Sequence, residues 1–328
     1  MNTNWKTFLL SQQATVDNEN HVFSPKIGDS GERNIYPLSH LAVLTVAGKD
    51  AAKLLQGQIT CNVNDISEAK SSLAAMCNPK GRVIATFLLV TKADAFLMVL
   101  PVELLETVKK RLQMYVLRSD VKLMDSSDEF CLLGLLEPGT PTPAFATETQ
   151  EGLISINFPA LARRKLLITD ADNAIRYCSG QVGHHDFKMA DSDDWRSLDI
   201  SSGIPWLTTE TSEEFIPQML NLDKLGGISF NKGCYTGQEI VARTHYLGKS
   251  KREMLLAECQ TLTPPQPNSS IVNLDNEEQE VVGKVLSALQ KSRSCKMLVI
   301  LQSTETTYDN LGLQDDKAAQ ITLLPFYA

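Results

Sequence analysis

Hydrophobic residues change their spacing repeatedly along the first 250 residues, which is typical of a chain in which strands alternate with helices. Runs of consecutive apolar residues predict strands at 41–47, 82–90 and 95–100. A short helix is predicted from Asp50 to Gln56, because Gly57 follows its last apolar position. This alternation indicates an α+β region.

A longer helix is predicted to begin at Pro101, since proline is favoured in the first turn of a helix. From there, apolar residues recur at three- and four-residue steps on one face, at Val102, Leu105, Val108, Leu112 and Tyr115. The segment 137–150 is rich in proline and threonine, and it predicts a surface loop.

The pattern changes after about residue 249, where short apolar runs are separated by turns rich in Pro, Asn, Asp and Ser. Strands are predicted at 253–258, 280–287, 296–302 and 321–324. Short strands at this spacing are typical of a small barrel or sandwich. We therefore expect an α+β region of two subdomains over residues 1–248 and a β-barrel domain over residues 249–328.

The composition is that of a globular protein. Of 328 residues, 43% are hydrophobic and 21% are charged, which excludes disorder for most of the chain and predicts about two domains. No apolar stretch reaches the roughly 18 residues of a membrane-spanning helix, and the N-terminus lacks the features of a secretion signal. We therefore expect no membrane contact. The net charge of −8 excludes a dedicated duplex-binding protein, which needs a strongly basic face.

Seven cysteines form an odd set without any CxxC spacing. This excludes a disulfide framework, a zinc ribbon and a local run of iron–sulfur ligands, so we expect no resident metal. Free thiols are typical of a reducing compartment, and we expect a cytoplasmic protein. No feature of the chain requires an oligomer.

Charge is distributed unevenly around residue 223. Eight acids and one base lie from Asp191 to Asp223, whereas six bases and one acid lie from Lys224 to Arg252. The basic strip is the name used below for Lys232, Arg243, Lys249, Lys251 and Arg252. Such a strip favours a local contact with an anion.

The most informative segment is 221–239, which holds four glycines around Cys234. Glycines allow positive φ angles and close backbone approach, so the chain can fold tightly here. Thr236 and Glu239 have the spacing of a capping box, which predicts a helix directly after Thr236. Its N-terminus, together with Lys232, favours a thiolate at Cys234 and makes this cysteine the best nucleophile or redox candidate. The alternative is a glycine-rich turn around a small buried thiol.

A resemblance to a known family rests on Lys232, Gly233, Cys234, Tyr235, Gly237, Gln238, Glu239 and Arg243. These residues resemble the signature KGCYxGQE of the YgfZ family. Members of this family are folate-binding, tRNA-modifying proteins related to the aminomethyltransferase of the glycine cleavage system. The similarity extends to segments 55–60, 78–83, 195–205 and 215–222.

The resemblance implies three subdomains in a ring around a central hole that holds folate, with a small β barrel at the C-terminus. It implies tetrahydrofolate or a derivative as cofactor. The implied function is that of an accessory protein to iron–sulfur enzymes, such as a tRNA methylthiotransferase, and thereby a role in tRNA thiomethylation. By match, Cys234 is the residue tied to that role, in a redox or cluster-related capacity.

Two departures from the family affect the implied folate site. Two tryptophans flank folate in the family; Trp195 matches one of them, and Leu41 replaces the other. We expect Trp195 to form a partly exposed pocket wall. A glutamate that satisfies the pterin ring corresponds to Ser201, and Asp199 would share the face of Ser201 in a strand and substitute for it.

A third departure affects catalysis. The related aminomethyltransferases carry a pair of aspartates where this chain has Ala85 and Thr86. Neither residue can guide a proton, so a classical aminomethyl transfer is not expected. Two alternatives to the accessory function stay open. One is a folate-dependent one-carbon transferase, and the other is a folate-free module whose basic strip contacts RNA or a partner protein, including a weak contact with tRNA.

Overall fold

The structure is a computed structural model that describes residues 1–18, 21–24, 33–184, 186–248, 250–275, 280–291, 293–303, 308 and 310–326. Within these residues the chain forms a five-stranded sheet, a six-stranded sheet, a closed six-stranded barrel and a two-stranded ribbon. No helix in this part of the chain has the length and apolarity needed to cross a membrane.

The elements follow one another in an α+β order. The α-helices are α1 (Thr3–Ser11), α2 (Ala51–Gln56), α3 (Val102–Val116), α4 (Ala171–His184), α5 (Ser192–Ser201) and α6 (Gln238–Tyr246), and the 3-10 helices are Val63–Asp65 and Pro217–Leu220. The first thirteen strands are β1 (Thr15–Val16), β2 (Val22–Phe23), β3 (Asn34–Pro37), β4 (Leu41–Ala47), β5 (Ser72–Cys77), β6 (Val83–Lys92), β7 (Ala95–Pro101), β8 (Lys122–Asp125), β9 (Cys131–Glu137), β10 (Thr147–Gln150), β11 (Leu153–Phe158), β12 (Arg163–Thr169) and β13 (Lys188–Met189). The remaining strands are β14 (Arg252–Gln260), β15 (Ser270–Asn273), β16 (Val281–Lys291), β17 (Ser294–Gln302), β18 (Leu311–Leu313) and β19 (Gln320–Leu324).

The five-stranded sheet has the order β5-β6-β7-β4-β8 and is antiparallel throughout. Runs of six buried residues in β4 and eight in β6 show that both faces of this sheet are covered. The strands predicted at 41–47, 82–90 and 95–100 are confirmed as β4, β6 and β7.

Helix α3 covers the five-stranded sheet, but not with the whole predicted face. Its buried positions are Leu104, Leu105, Val108, Leu112 and Val116. Val102 and Tyr115 are each 38% exposed, so the predicted face was wrong at both ends. The helix begins after Pro101, and the three- to four-residue spacing from Leu104 and Leu105 leads to Val116 instead of Tyr115.

The six-stranded sheet has the order β10-β11-β12-β9-β3-β13, and only the β13 pairing with β3 is parallel. Helices α1 and α4 cover one of its faces, where Trp5, Leu9 and Cys178 form a hydrophobic cluster with residues of β3, β9 and β12. The other face joins the five-stranded sheet in one large core. The predicted loop at 137–150 ends in strand β10.

The barrel closes in the order β14-β17-β16-β15-β18-β19, because β14 pairs with both β17 and β19. The predicted barrel is confirmed, although β15 and β18, with four and three residues, were missed. Helix α5 packs against β16 and β17 on the outside of the barrel and against β3 of the six-stranded sheet. The α+β class is confirmed, and α5 is the element at which the sheet and the barrel meet.

Candidate functional site

The glycines of the motif bring two separate segments into backbone contact. Gly237 has a φ of +84°, and a Cβ added there would lie 2.5 Å from the carbonyl oxygen of Asn78. Gly81 has a φ of +70°, and its added Cβ would lie 2.7 Å from Cβ of Ile240. No larger side chain fits either position without displacement of the backbone. The segments around 78–83 and 232–239 therefore form one packed unit.

The turn that receives Gly237 is held by its own asparagine. The Asn78 Oδ1 atom accepts hydrogen bonds from the backbone N–H groups of Lys80 (2.9 Å) and Arg82 (3.1 Å). The Asn78 amide in turn donates to Glu213 at 2.9 Å, and Glu213 pairs with Arg111 at 2.9 Å. The turn is thus held by hydrogen bonds that do not involve the motif.

Helix α6 begins at Gln238, so the predicted capping box is wrong. Gly237 occupies the N-cap position in the left-handed conformation, and no side chain caps the helix. The Thr236 hydroxyl instead donates to Oε1 of Gln58 at 3.1 Å. Because the backbone approaches Asn78 closely, the residue immediately before the helix must be glycine. Gly237 therefore occupies the N-cap position, and Thr236 does not cap the helix.

Lys232 connects the motif loop to the chain around residue 60. Its ammonium donates to the carbonyl oxygens of Ile59 and Cys61, each at 2.7 Å. The ammonium also lies 5.0 Å from the centre of the Tyr235 ring. Burial lowers the pKa of Lys232 to about 8. Lys232 therefore has a structural role and not the predicted role of favouring a thiolate at Cys234, because its ammonium is hydrogen-bonded to backbone carbonyls.

Cys234 is exposed, whereas the other six cysteines are buried, and all seven lie in the described residues. Burial raises the pKa of Cys61 and of Cys77 to about 12, which keeps these neighbouring thiols protonated and inert. The alternative of a small buried thiol at Cys234 is therefore wrong. Accessible thiol chemistry in this loop belongs to Cys234.

The other motif residues lie in the loop after Cys234 and along helix α6. Gln238 accepts a hydrogen bond from the backbone N–H of Tyr235 at 3.3 Å, and Glu239 lies exposed in the first turn of α6. Arg243 is exposed in the last turn of that helix. Within the basic strip, Lys251 is exposed and Arg252 is half-buried, and Lys249 lies outside the described residues.

Trp195 is completely buried, so the expectation of a partly exposed pocket wall is wrong. The guanidinium of Arg164 lies over its ring at 3.8 Å from the centroid. The rings of Tyr36 and Phe158 contact it at centroid distances of 5.7 and 5.8 Å. Gly134 makes room for the ring, since an added Cβ would come within 2.2 Å of it. Protein side chains thus surround the indole.

Asp199 lies in α5, not in a strand, and its carboxylate is already engaged. One oxygen pairs with Arg164 at 2.5 Å, and the other accepts from the indole N–H of Trp206 at 2.9 Å. Burial raises the pKa of Asp199 and lowers the pKa of Arg164, while the ion pair opposes both shifts. Ser201 donates its hydroxyl to the carbonyl of Ser197 at 2.8 Å, as a residue four positions on in a helix does.

The four residues that the resemblance implies for folate do not fit the cofactor as they lie. Leu41, Trp195, Asp199 and Ser201 are all 5% exposed or less. The polar groups of Asp199 and Ser201 are satisfied by protein partners, so they offer no unpaired group to a pterin ring. Other side chains of the protein fill the space around Trp195 in this part of the core.

Ala85 and Thr86 lie within the run of buried residues in β6. The Thr86 hydroxyl donates to the carbonyl of Pro205 at 2.5 Å. Both residues are therefore part of the buried structure of β6. No group of three or more His, Cys, Asp or Glu residues with the geometry of a metal site occurs in the described residues.

Sequence reasoning missed Arg164, the residue that organises the buried centre. The signal was present, because Arg164, Leu166 and Ile168 alternate along β12 and all point into the core. The adjacent Arg163 points outward and is 42% exposed in its side chain.

Comparison with known proteins places this geometry in a family. Residues 32–142 match the model described as GCVT N-terminal domain. The chain is 30% identical over 292 residues to the tRNA-modifying protein YgfZ of Colwellia psychrerythraea, which covers 84% of this chain and 88% of that protein. The YgfZ protein of Klebsiella pneumoniae is 28% identical over 317 residues, covering 92% of this chain and 96% of that protein.

The fold also matches a solved structure. The glycine cleavage system aminomethyltransferase T from Bartonella henselae superposes with a TM-score of 0.79 at 12% identity, covering 100% of this chain and 98% of that one. At this identity the likeness shows the fold alone. The predicted similarity to the aminomethyltransferase fold is confirmed.

The Gly237 contact gives a test of the packed unit. We expect Gly237→Ala to lower the free energy of unfolding by at least about 2 kcal/mol, because it adds left-handed strain to an overlap with Asn78. Gly233→Ala is the matched control, since nothing lies within 4 Å of its added Cβ. Its effect should stay below about 1 kcal/mol in urea denaturation. Equal effects of the two variants would contradict the contact.

The Arg164–Asp199 pair gives a second test. We expect Arg164→Met to destabilise the protein by about 3–5 kcal/mol, because it leaves a buried carboxylate without its counter-ion. The control is Arg163→Met, which removes a half-exposed pair with Glu137 and should cost less than about 1 kcal/mol. Thermal and urea unfolding of both variants would measure the difference. A small loss for Arg164→Met would show that the pair does not hold the core.

Proposed function

The chain belongs to the YgfZ family of tRNA-modifying proteins, and we propose that it acts in tRNA modification as an accessory protein to iron–sulfur enzymes. The observation that carries this proposal is the exposure of Cys234 on a loop that is fixed on both sides. On the N-terminal side of the cysteine, Lys232 holds the loop, and on its C-terminal side, Gly237 packs the loop on the turn that begins at Asn78. An accessible thiol is thereby presented at a defined position.

Cys234 supplies one thiolate ligand to an iron–sulfur centre of the client enzyme. Binding of this kind requires only the loss of the thiol proton, and thiolates are the usual ligands of such centres. The described residues contain no group of three or more His, Cys, Asp or Glu that could hold a metal ion by itself. In this proposal the remaining ligands belong to the client enzyme, and the iron–sulfur centre is the client's own.

The proposed function includes no folate held by Leu41, Trp195, Asp199 and Ser201. These residues are buried, the polar groups of Asp199 and Ser201 are hydrogen-bonded to other protein groups, and Arg164 lies on the Trp195 ring. A folate-dependent one-carbon transfer has no support from Ala85 and Thr86, because neither presents a carboxylate. The accessory function does not depend on either reaction.

Replacement of Cys234 tests the proposal. In bacterial cells that depend on this chain, we expect Cys234→Ser to lose most thiomethylated tRNA nucleoside, measured by mass spectrometry, while its unfolding midpoint matches the wild type. Serine is a poor ligand for iron–sulfur centres, which explains the loss. The control is Cys178→Ala, which removes a buried thiol in α4. Wild-type levels of the modified nucleoside in Cys234→Ser would refute the role.

A titration with tetrahydrofolate tests the fit of the cofactor. We expect no saturable change in tryptophan fluorescence up to about 1 mM, because Trp195 has no open face. A saturable change that disappears in Trp195→Leu and persists in Trp5→Phe would show that the core opens for folate. That result would restore the cofactor to the proposed function.

A further inference from the structure

A cavity of about 390 Å³ opens beside the motif loop, and the function proposed above does not use it. It lies between the segment that follows α2, the segment that approaches the motif, and the end of α6. Its lining residues include Cys61, Asn62, Asp65, Lys70, Asn231 and Tyr246. This volume is in the range of sites that bind small ligands or parts of larger ones.

Three aromatic rings form one edge of the cavity. Phe230 and His245 are stacked, with ring centroids 3.6 Å apart and an interplanar angle of 12°. Tyr246 meets His245 edge-on at 4.8 Å and is 64% exposed. An exposed aromatic ring held by its neighbours is a surface on which a planar base can stack.

Amide and carboxylate groups also line the cavity. The Asn62 Oδ1 atom accepts from Gln56 at 2.8 Å, and its amide donates to Asp65 at 2.9 Å. Asn231 is exposed on the motif side of the cavity. Groups of this kind form hydrogen bonds with the donors and acceptors on the edge of an unpaired base.

One cation lines the cavity and another is carried by the helix that bears Tyr246. Lys70 is an exposed lining residue, and Arg243 is exposed three residues before Tyr246 on α6. Residues three apart on a helix are neighbours, so Arg243 lies on the side of α6 that carries Tyr246. A cation next to a stacking ring suits the phosphate of a nucleotide.

The cavity is adjacent to the loop that carries Cys234. Asn231 lines the cavity, and the next residue, Lys232, donates to the carbonyl of Cys61, which also lines it. The chain between the cavity and the thiol is therefore short and fixed. A ligand in the cavity lies beside the part of the surface that the client enzyme must approach.

We propose that this cavity binds a single unpaired nucleotide, with its base stacked on Tyr246, its edge facing Asn62, Asp65 and Asn231, and its phosphate near Lys70 and Arg243. The proposal rests on the function proposed above, because a tRNA supplies unpaired nucleotides in its loops and at its end. The same chemistry would accept a free nucleotide, and the experiment below separates these sources.

The test is fluorescence anisotropy of a labelled single-stranded oligoadenylate with the full-length protein. We expect Tyr246→Ala to weaken binding about tenfold or more, which is the effect of losing one stacked base. Tyr246→Phe keeps the ring and should bind within about threefold of the wild type. Leu247→Ala is the matched control, since Leu247 is 83% exposed, follows Tyr246 directly and does not line the cavity.

Two competitors identify the source of the nucleotide. Displacement by unlabelled single-stranded RNA but not by adenosine monophosphate at the same concentration assigns the cavity to RNA, and equal displacement by both assigns it to a free nucleotide. Equal binding of a fully paired duplex, or wild-type binding by Tyr246→Ala, would overturn the proposal in favour of contacts to phosphates alone. Binding only of peptides from a client enzyme would overturn it as well.

The same assay separates this proposal from the proposed function. Cys234→Ser should bind the oligoadenylate like the wild type while it loses support of tRNA modification. If Cys234→Ser modifies tRNA normally and Tyr246→Ala binds RNA weakly, the role of the thiol is refuted and nucleotide binding by the cavity is supported. If Cys234→Ser loses tRNA modification and Tyr246→Ala binds RNA like the wild type, nucleotide binding by the cavity is refuted and the role of the thiol is supported.

Discussion

The backbone contact between Gly237 and the Asn78 turn is the constraint on which the candidate site depends. It needs two glycines in the left-handed region, Gly81 and Gly237, and no side chain at either position. Because the contact is between backbones, it fixes the direction of the chain more firmly than side-chain packing would. Helix α6 begins directly after this contact, and the loop that carries Cys234 directly precedes it.

The centre of the molecule illustrates how one buried charge changes the role of its neighbours. Arg164 enters the core from β12 and requires Asp199 as counter-ion, and Asp199 also accepts from Trp206. Trp195 then packs on the guanidinium. Residues that resemble a ligand site in sequence thus form a polar link between the six-stranded sheet and α5. Sequence similarity pointed to these positions, but it could not reveal which protein groups are their partners.

Much of the fold could be predicted because its strongest signals are local. Long apolar runs identified β4, β6 and β7, and the change in texture near residue 249 identified the barrel. The failures arose where tertiary contacts override local preference. Thr236 does not cap α6, because the turn at Asn78 requires glycine at position 237. Asp199 lies in a helix, where it does not share a face with Ser201 as it would in a strand. The cavity beside the motif loop could not be predicted from the sequence, since two of its lining residues, Asn62 and Tyr246, are far apart along the chain.

The closure of the barrel has a consequence for the order in which the protein matures on the ribosome. Strand β14 pairs with β17 and with β19, the last strand of the described chain. Asn221, at the end of the 3-10 helix that leads to the motif, donates to the carbonyl of Met254 in β14. The motif loop therefore gains its full support only after the barrel strands have been synthesised, because long-range pairings form late. A nascent chain presents Cys234 in its folded setting only after β19 has been synthesised.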